Sequence, residues 1–216
     1  MINFFEDLKE KRLKIKGQRL LVKYEFKKAY HVFQKAILIN NSVENQFNLA
    51  VSLLSLAEYS KAEKYLKLIF DKYPENELNL LSLAECCIMQ KKWGEAIEFY
   101  QKAVQLSPDK KSYHVYLKIA EDVVAREKYV KARELFNKAT LELKLKNDQK
   151  ALNILLQANE YLPNDATILN NIATLYIMLK EFSKAYSYVM KAVKLKPNDQ
   201  RFQKNLSIAK KRLKKK

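Results

Sequence analysis

The residue types that most often carry chemistry are few in this sequence, and their spacing matches none of the usual sites. His31 and His114 lie far apart, and neither stands at a metal-ligand spacing from a cysteine or a carboxylate. Cys86 and Cys87 are adjacent, with no histidine or acidic group placed to activate either as a nucleophile. No nucleophile elbow, phosphate-binding loop or metalloprotease helix motif occurs. We therefore predict no enzymatic activity, no cofactor and no metal site, and we expect the cysteines to pack in a core.

The cysteines and the first residues also indicate a compartment. Neighbouring Cα atoms are about 3.8 Å apart, too close for an unstrained disulfide between Cys86 and Cys87. The opening residues Met1–Asp7 contain neither a basic region nor a long apolar run, and no apolar run of membrane-spanning length occurs elsewhere. These features predict a cytoplasmic protein without a transmembrane segment.

Composition restricts the elements that could position any functional residue. The chain has 216 residues, 48% of them apolar, but only 2 Gly and 4 Pro. Tight β-turns and phosphate-cradling loops depend on glycine, so a β-sandwich and a nucleotide-binding loop are disfavoured. The composition favours an almost wholly α-helical protein with a substantial core.

The formal net charge of +17 lies mainly at the two ends of the sequence. Residues 1–40 carry 10 basic and 4 acidic side chains, and residues 200–216 carry 8 basic and no acidic ones. The remaining residues are nearly balanced. The charge is therefore a property of the ends and not of the whole chain.

A repeat of about 34 residues organises the sequence. Each of six copies has a central small residue. In five copies an aromatic residue stands three positions earlier, and Asp148 takes that place in the fifth copy. In four copies a proline follows twelve positions after the small residue. The central small residues are Ala29, Ala62, Ala96, Ala132, Ala151 and Ala185. The aromatic residues are Phe26, Tyr59, Trp93, Tyr129 and Phe182, and the prolines are Pro74, Pro108, Pro163 and Pro197. A second small residue recurs twelve positions before the central one, from Gly17 to Ala173.

This pattern predicts a stack of two-helix units. Small residues permit the two helices of a unit to cross closely, and the aromatic residue stands just before the second helix. Each proline ends a second helix, because proline lacks the amide hydrogen and the residue before it avoids the helical conformation. The Asn and Asp residues after the prolines are expected to cap the next helix. No unit can bury its apolar face alone, so the units must stack.

These residues resemble the tetratricopeptide repeat, and Trp93-Gly94-Glu95-Ala96 through Pro108 is the clearest copy. The resemblance implies an all-α fold: a right-handed superhelical solenoid of antiparallel helix pairs, with about five units, one of them incomplete, and a C-terminal capping helix. We predict one solenoid domain over residues 1–216. Its units cover residues 10–42, 43–76, 77–110, 113–146, a partial 147–165, and 166–199, followed by a capping helix over residues 200–216.

One interval departs from the period, because only 19 residues separate Ala132 from Ala151. A helix is therefore missing, and we predict that one helix around Tyr129–Leu145 serves the units on both sides. A harmless deletion and a functional change of direction both explain this interval.

The two ends are expected to cover the stack. Asn3–Tyr24 should be helical, with Phe5 and Leu8 among the residues that supply apolar contacts. The final helix carries an apolar stripe ending at Leu213, and Ser207 continues the small-residue pattern 34 positions after Ala173.

The first helices of such units form the concave surface of the solenoid, which the resemblance implies as the place for a partner. The phase of the repeat places a mixture of amide, basic and apolar side chains there, suited to an extended peptide or a partner helix. The predicted groove residues are Lys14, Gln18, Phe47, Asn48, Ser82, Lys118, Asn170 and Asn171, with Val51 and Leu81 beside them. Relatives that grip the C-terminal carboxylate of Hsp70 or Hsp90 share only Lys14 and Asn48 with this chain, so that clamp is not predicted.

The basic end supplies an alternative. Residues Lys210, Lys211, Arg212, Lys214, Lys215 and Lys216 could contact nucleic acid or another anionic surface. Against a nucleic-acid role, this block lacks aromatic residues for base stacking, and the chain has few arginines. The principal prediction is a non-enzymatic scaffold or adaptor that binds another protein during complex assembly or chaperoning. The sequence defines neither the partner nor the oligomeric state.

Overall fold

The computed structural model describes residues 4–214, and these residues contain twelve α-helices and no strand. The helices are α1 Phe4–Val22, α2 Phe26–Ile39, α3 Val43–Ser55, α4 Tyr59–Lys72, α5 Glu77–Met89, α6 Trp93–Leu106, α7 Lys111–Glu121, α8 Val123–Lys144, α9 Asp148–Tyr161, α10 Ala166–Met178, α11 Phe182–Leu195 and α12 Gln200–Leu213. This is the all-α helical repeat that the sequence predicts.

The aromatic positions of the repeat mark where second helices begin. Phe26, Tyr59, Trp93 and Phe182 are the first residues of α2, α4, α6 and α11. The central small residues, from Ala29 to Ala185, are fully buried. Each proline follows the end of a helix by two residues, as at Pro74 after α4. At these four positions the repeat therefore marks where a second helix begins, and each proline marks where the preceding helix has ended.

The chain forms two compact units, residues 1–126 and 127–216. In the first unit, consecutive helices from α1 to α7 pack on one another, and α1, α3 and α5 also contact each other in order. Its core is built from residues such as Phe33, Leu49, Leu66 and Leu83. In the second unit, α9, α10, α11 and α12 pack in sequence around Ile172, Ala173 and Val189. The prediction of a single domain stays a prediction.

Capping follows the predicted chemistry at three of the four positions after a proline. Asn76, Asp165 and Asp199 accept hydrogen bonds from backbone amides of α5, α10 and α12. The prediction is wrong at Pro108-Asp109, because Lys110 occupies the N-cap of α7 without a side-chain cap. Ser42, which the sequence analysis did not single out, caps α3 by accepting from the Asn45 amide.

The shortened interval contains one long helix, as predicted, but the preceding turn lies elsewhere. The sequence predicts a second helix beginning near Tyr129, whereas α8 begins at Val123 and passes through that position. The break falls at Asp122, whose extended backbone ends α7 and whose Oδ1 accepts from the Ala125 amide at 2.7 Å. Asp is a strong N-cap residue, and residues 123–128 contain no Gly or Pro to interrupt the new helix.

The two end helices differ from expectation in three residues. Phe5 and Leu8 supply no buried contact, because both are exposed on α1. Ser207 on α12 is also exposed, and Ala209 is the small residue that packs in the core. The predicted apolar stripe of α12 is confirmed, because Phe202 and Ala209 are buried. On α1 the small residue Gly17 is buried as the repeat indicates, so the departure is confined to the N-terminal part of that helix. Asn3, Lys215 and Lys216 lie outside the described residues.

Five hairpin turns use a left-handed residue that is not glycine: Tyr24, Ala57, Lys91, Lys146 and Lys180, with φ between 58° and 61°. Each lies two residues before the next helix. A left-handed backbone strains residues that carry a Cβ atom. These turns therefore form without glycine, but each is less stable than it would be with glycine at that position.

Replacing Ala57 by Gly is expected to raise the free energy of unfolding by about 0.5–1 kcal/mol, because glycine relieves the left-handed strain. The same exchange at Ala125, inside α8, should lower it by up to about 1 kcal/mol. Urea unfolding followed by circular dichroism measures both variants. Effects of equal sign would contradict the assigned strain.

Candidate partner-binding site

Within residues 1–126, the predicted groove residues lie on the helices that come first in each repeat, namely α1, α3, α5 and α7. We call the surface formed by these four helices the first-helix face. Gln18 on α1 and Lys118 on α7 are exposed. Three further predicted residues are half-buried: Phe47, Asn48 and Ser82. The helices that carry Gln18, Asn48 and Ser82 are in contact, so their side chains belong to neighbouring rows of one surface.

Lys14 is engaged by carboxylates of the same chain. Its Nζ donates to Glu44 Oε2 at 2.7 Å and lies 3.4 Å from Glu10 Oε1. The hydrogen bond to Glu44 is the main reason that the pKa of Lys14 is raised. Lys14 therefore joins α1 to α3, and its positive charge is already compensated at a position where a carboxylate clamp needs a free cation.

Glu10 extends this network and was missed by the sequence analysis. The carboxylate is buried, and it accepts hydrogen bonds from Asn45 Nδ2 at 2.7 Å and from Asn40 Nδ2 at 3.2 Å. Burial by itself raises the pKa of Glu10, but the bonds from Asn40 and Asn45, together with Lys14, outweigh burial and lower it. The spacing of these residues across a repeat, 30 to 35 positions, is the only signal in the sequence.

Apolar and polar groups alternate along the middle of the first-helix face. Phe47 packs against the core of α3 and α4, and Leu81 packs against the core of α5 and α6. One turn away from Ser82, Leu78 is 64% exposed, and Ser82 Oγ donates to its carbonyl oxygen at 2.8 Å. Asn48 Nδ2 is shielded from solvent and has no hydrogen-bond partner among residues 4–214. The surface therefore combines an exposed apolar side chain, Leu78, with an amide nitrogen of Asn48 that lacks a hydrogen-bond acceptor.

In residues 127–216, the predicted groove residues are largely buried by other parts of the same chain. Asn170 and Asn171 on α10 are only 8% and 6% exposed. Asn205 on α12 donates through Nδ2 to Asn170 Oδ1 and to Thr174 Oγ1, both at 2.9 Å. Asn205 stands 35 residues after Asn170, about one repeat further along, which is the signal that could have found it. At Asn170 the final helix takes the place that a partner would occupy.

The basic end of α12 is open. Lys210, Lys211, Arg212 and Lys214 are exposed. Lys215 and Lys216 lie outside the described residues. Contact of this segment with nucleic acid or another anionic surface stays a prediction.

Two stretches of the sequence match models of known protein families. The model described as "Tetratricopeptide repeat" matches residues 166–199, the same bounds as the last predicted unit. The chain is a tetratricopeptide-repeat protein. A second model, described as "Anaphase-promoting complex, cyclosome, subunit 3", matches residues 22–103 of this tetratricopeptide-repeat protein. No curated protein matches the sequence.

Solved structures share the fold at low sequence identity. A tetratricopeptide-repeat protein of Thermus thermophilus is 17% identical, with a TM-score of 0.51, and the match covers 93% of this chain and 98% of that one. The TPR2AB domain of yeast Sti1, in its complex with pHSP90, is 19% identical with a TM-score of 0.48. That match covers 95% of this chain and 84% of the other. At this identity the likeness concerns the fold alone.

The buried Cys87 of this tetratricopeptide-repeat protein has two acidic neighbours, Glu63 on α4 and Glu95 on α6. The thiols of Cys86 and Cys87 are both free and buried on α5, as expected for packing. Potential ligand atoms of Glu63, Cys87 and Glu95 lie within 4.8 Å of one another. Burial, followed by Glu95 and Glu63, raises the pKa of Cys87 to about 12, so the thiol stays protonated at neutral pH. These acids therefore suppress the thiolate and do not activate it.

The same acidic group is neutralised by lysines. Glu63 Oε1 lies 2.7 Å from Lys67 Nζ, and Glu63 Oε2 lies 2.8 Å from Lys92 Nζ. Two ammonium groups at the carboxylate oppose the approach of a cation, so the arrangement is best described as an ion-pair network.

Among residues 4–214, no helix is both long enough and apolar enough to cross a membrane.

Proposed function

We propose that this tetratricopeptide-repeat protein is a scaffold that binds a peptide or helix of another protein on the first-helix face of residues 1–126. The exposed side chain of Leu78 carries the proposal, because it lies uncovered on a face whose neighbouring apolar residues, Phe47 and Leu81, are anchored in the core. An apolar position between polar side chains suits a partner residue that buries its own side chain there. The match of residues 22–103 to a family named for a subunit of a multiprotein complex supports a role in assembly.

The proposed mechanism is equilibrium binding on a preformed surface, without a chemical step. Gln18 and Lys118 lie on this face and can hydrogen bond to a partner. Lys14 contributes through its ion pair with Glu44, which presents a locally neutral surface, so we expect no preference for a terminal carboxylate. The protonated, buried thiols and the absence of catalytic motifs in the sequence support a non-enzymatic role in a reducing compartment such as the cytoplasm.

Replacing Leu78 by Ser is expected to weaken peptide binding by about tenfold or more, because a leucine side chain loses about 1.5–3 kcal/mol of burial. The probes are peptides selected from a random display library on the wild-type protein, with affinities measured by fluorescence anisotropy. The change should leave thermal stability nearly unchanged, since Leu78 is already largely exposed.

Leu38→Ser is the matched control for this test. Leu38 is 87% exposed but lies on α2, a second helix, away from the first-helix face. Affinity of the Leu38→Ser variant should equal that of the wild type. Equal losses in both variants, or selected peptides that ignore Leu78, would contradict binding on the first-helix face.

A further inference from the structure

One half of α1 carries two parallel rows of exposed side chains that the first-helix face does not include. The apolar row is Phe4, Leu8, Ile15 and Val22, and all four side chains are exposed. With 3.6 residues per turn, spacings of 4, 7 and 7 keep these residues on one line along the helix. Phe5 is 80% exposed at the same end of the helix. Lys11, which pairs with Asp7 at 2.7 Å, lies between Leu8 and Ile15. Four exposed apolar side chains along one side of a helix indicate a candidate interaction site.

The second row is basic and lies beside the apolar one. Lys9, Arg12, Lys16 and Arg19 recur at spacings of 3, 4 and 3, and all are exposed. Among the described residues, none of the four makes an ion pair or a side-chain hydrogen bond with an acidic group, so their charges are uncompensated. The acidic residues of α1, Glu6, Asp7 and Glu10, fall on the other half of the helix by the same period. We call the two rows together the basic–apolar face of α1.

The opposite half of α1 holds the helix to the rest of the first unit. Gly17 faces Phe33 of α2, and Leu20 packs on the core formed by Ala29, Phe33 and Leu49. Lys14 and Glu10 bond to α3 and its N-terminal turn. The basic–apolar face is thus presented outward by a helix that is firmly packed on its other side.

We propose that the basic–apolar face of α1 docks on the surface of an anionic lipid membrane. The helix is 19 residues long, about 28 Å, and would lie parallel to the surface. Its lysines and arginines would contact anionic headgroups, while the apolar row would enter the boundary between headgroups and acyl chains. Phe4 and Phe5 are consecutive, so their side chains point about 100° apart around the helix. Both remain on the same half of the helix, so one flat surface can contact both.

Width and charge favour a membrane over other occupants. The two rows span about 140° of the helix circumference, which is wider than the stripe of about 100° that one partner helix covers. A second copy of this chain would bring four uncompensated basic residues against the same four residues, which like-charge repulsion opposes. Nucleic acid would use the basic row and leave Phe4, Leu8, Ile15 and Val22 exposed to water.

The test is sedimentation of the full chain with vesicles made of a two-to-one mixture of phosphatidylcholine and phosphatidylserine, and with vesicles of phosphatidylcholine alone. Wild-type protein should bind the anionic vesicles and not the neutral ones. The triple variant Arg12→Gln, Lys16→Gln, Arg19→Gln should bind about a hundredfold more weakly, since each basic residue near an anionic surface contributes a factor of about five. The double variant Leu8→Gln, Ile15→Gln should bind at least about tenfold more weakly.

The charge-matched control is Lys128→Gln, Lys131→Gln, Lys138→Gln on α8, which removes the same number of exposed basic residues. Its affinity should stay within about threefold of the wild type. All of the substituted side chains are exposed, and circular dichroism checks that each variant keeps its helices. Leu78→Ser should bind vesicles normally, which separates this proposal from the first-helix face.

Three results would overturn the membrane assignment. The first is an equal loss in the two charge variants, which would indicate general attraction by net charge. The second is full binding by Leu8→Gln, Ile15→Gln, which would leave the apolar row without a role. The third is binding to duplex DNA or to an acidic helical peptide in place of vesicles, with the same dependence on Arg12, Lys16 and Arg19.

Discussion

Replacing Glu63 by Gln is expected to lower the free energy of unfolding by about 3 kcal/mol at neutral pH. The carboxylate is 5% exposed on α4 and accepts from Lys67, Lys92 and Gln90, the last at 2.7 Å. Burial by itself raises the pKa of Glu63, but these three partners outweigh burial and lower it from 4.5 to about 2. Glutamine keeps the shape but removes the charge that both lysines neutralise.

The contribution of Glu63 should depend on pH with a defined sign. Because the pKa is lower in the folded protein than in the unfolded chain, the unfolded chain binds more protons in acid. The stabilisation is therefore complete above about pH 5 and is lost as the pH falls from about 5 to 2. The stability difference between wild type and Glu63→Gln should shrink over the same range.

Trp93 is the single tryptophan and begins α6, directly after Lys92, so its fluorescence reports urea unfolding at this network. Local detection is useful because repeat proteins often unfold in parts. The control is Glu58→Gln, since Glu58 contacts Lys61 at the surface. That variant should change the free energy of unfolding by less than about 0.5 kcal/mol. A pH-independent effect at Glu63 would refute the assigned ion-pair network.

Replacing Gly17 by Ala is expected to lower the free energy of unfolding by about 1–3 kcal/mol, although alanine is the better helix former. A Cβ atom at Gly17 would lie 2.5 Å from Cε1 and Cζ of Phe33. Phe33 is fully buried between α1 and α3, so its ring has little room to move. The energetic cost of this steric overlap should exceed the gain of about 1 kcal/mol that alanine brings in helix propensity.

Gly94→Ala is the matched control, because the chain contains only these two glycines. Gly94 lies in the first turn of α6, and a Cβ atom there would meet nothing within 4 Å. Alanine should therefore raise the free energy of unfolding by up to about 1 kcal/mol. Circular dichroism in urea measures both variants. In a Phe33→Leu background the cost of Gly17→Ala should disappear, and a cost that persists would show that Phe33 is not its cause.

The repeat in the sequence predicted the local structure because each of its residues acts on its own backbone neighbourhood. Each proline prevents the preceding helix from continuing, because it lacks an amide hydrogen. Asn76, Asp165 and Asp199 cap helices through amides two or three residues away. The same local reasoning failed at Asp122. There a capping side chain began α8 six residues before the position that the repeat period indicated.

The candidate site was less predictable, because exposure depends on residues far apart in the chain. Lys14 and Asn170 have the right phase for a groove, but Glu44 engages the first and Asn205 engages the second. Both contacts join residues about one repeat apart. A repeat pattern places such residues on the same side, but it does not show which of them bond to each other.

The sequence by itself determined that this protein is helical, where most of its helices begin and end, and which small residues lie at the crossings. These properties follow from backbone chemistry and from the volume of single side chains. Only the tertiary structure decided that Phe5 and Leu8 face outward and that Lys14 is neutralised. Those outcomes depend on which neighbouring helix covers a given face, and helix periodicity alone does not specify that neighbour.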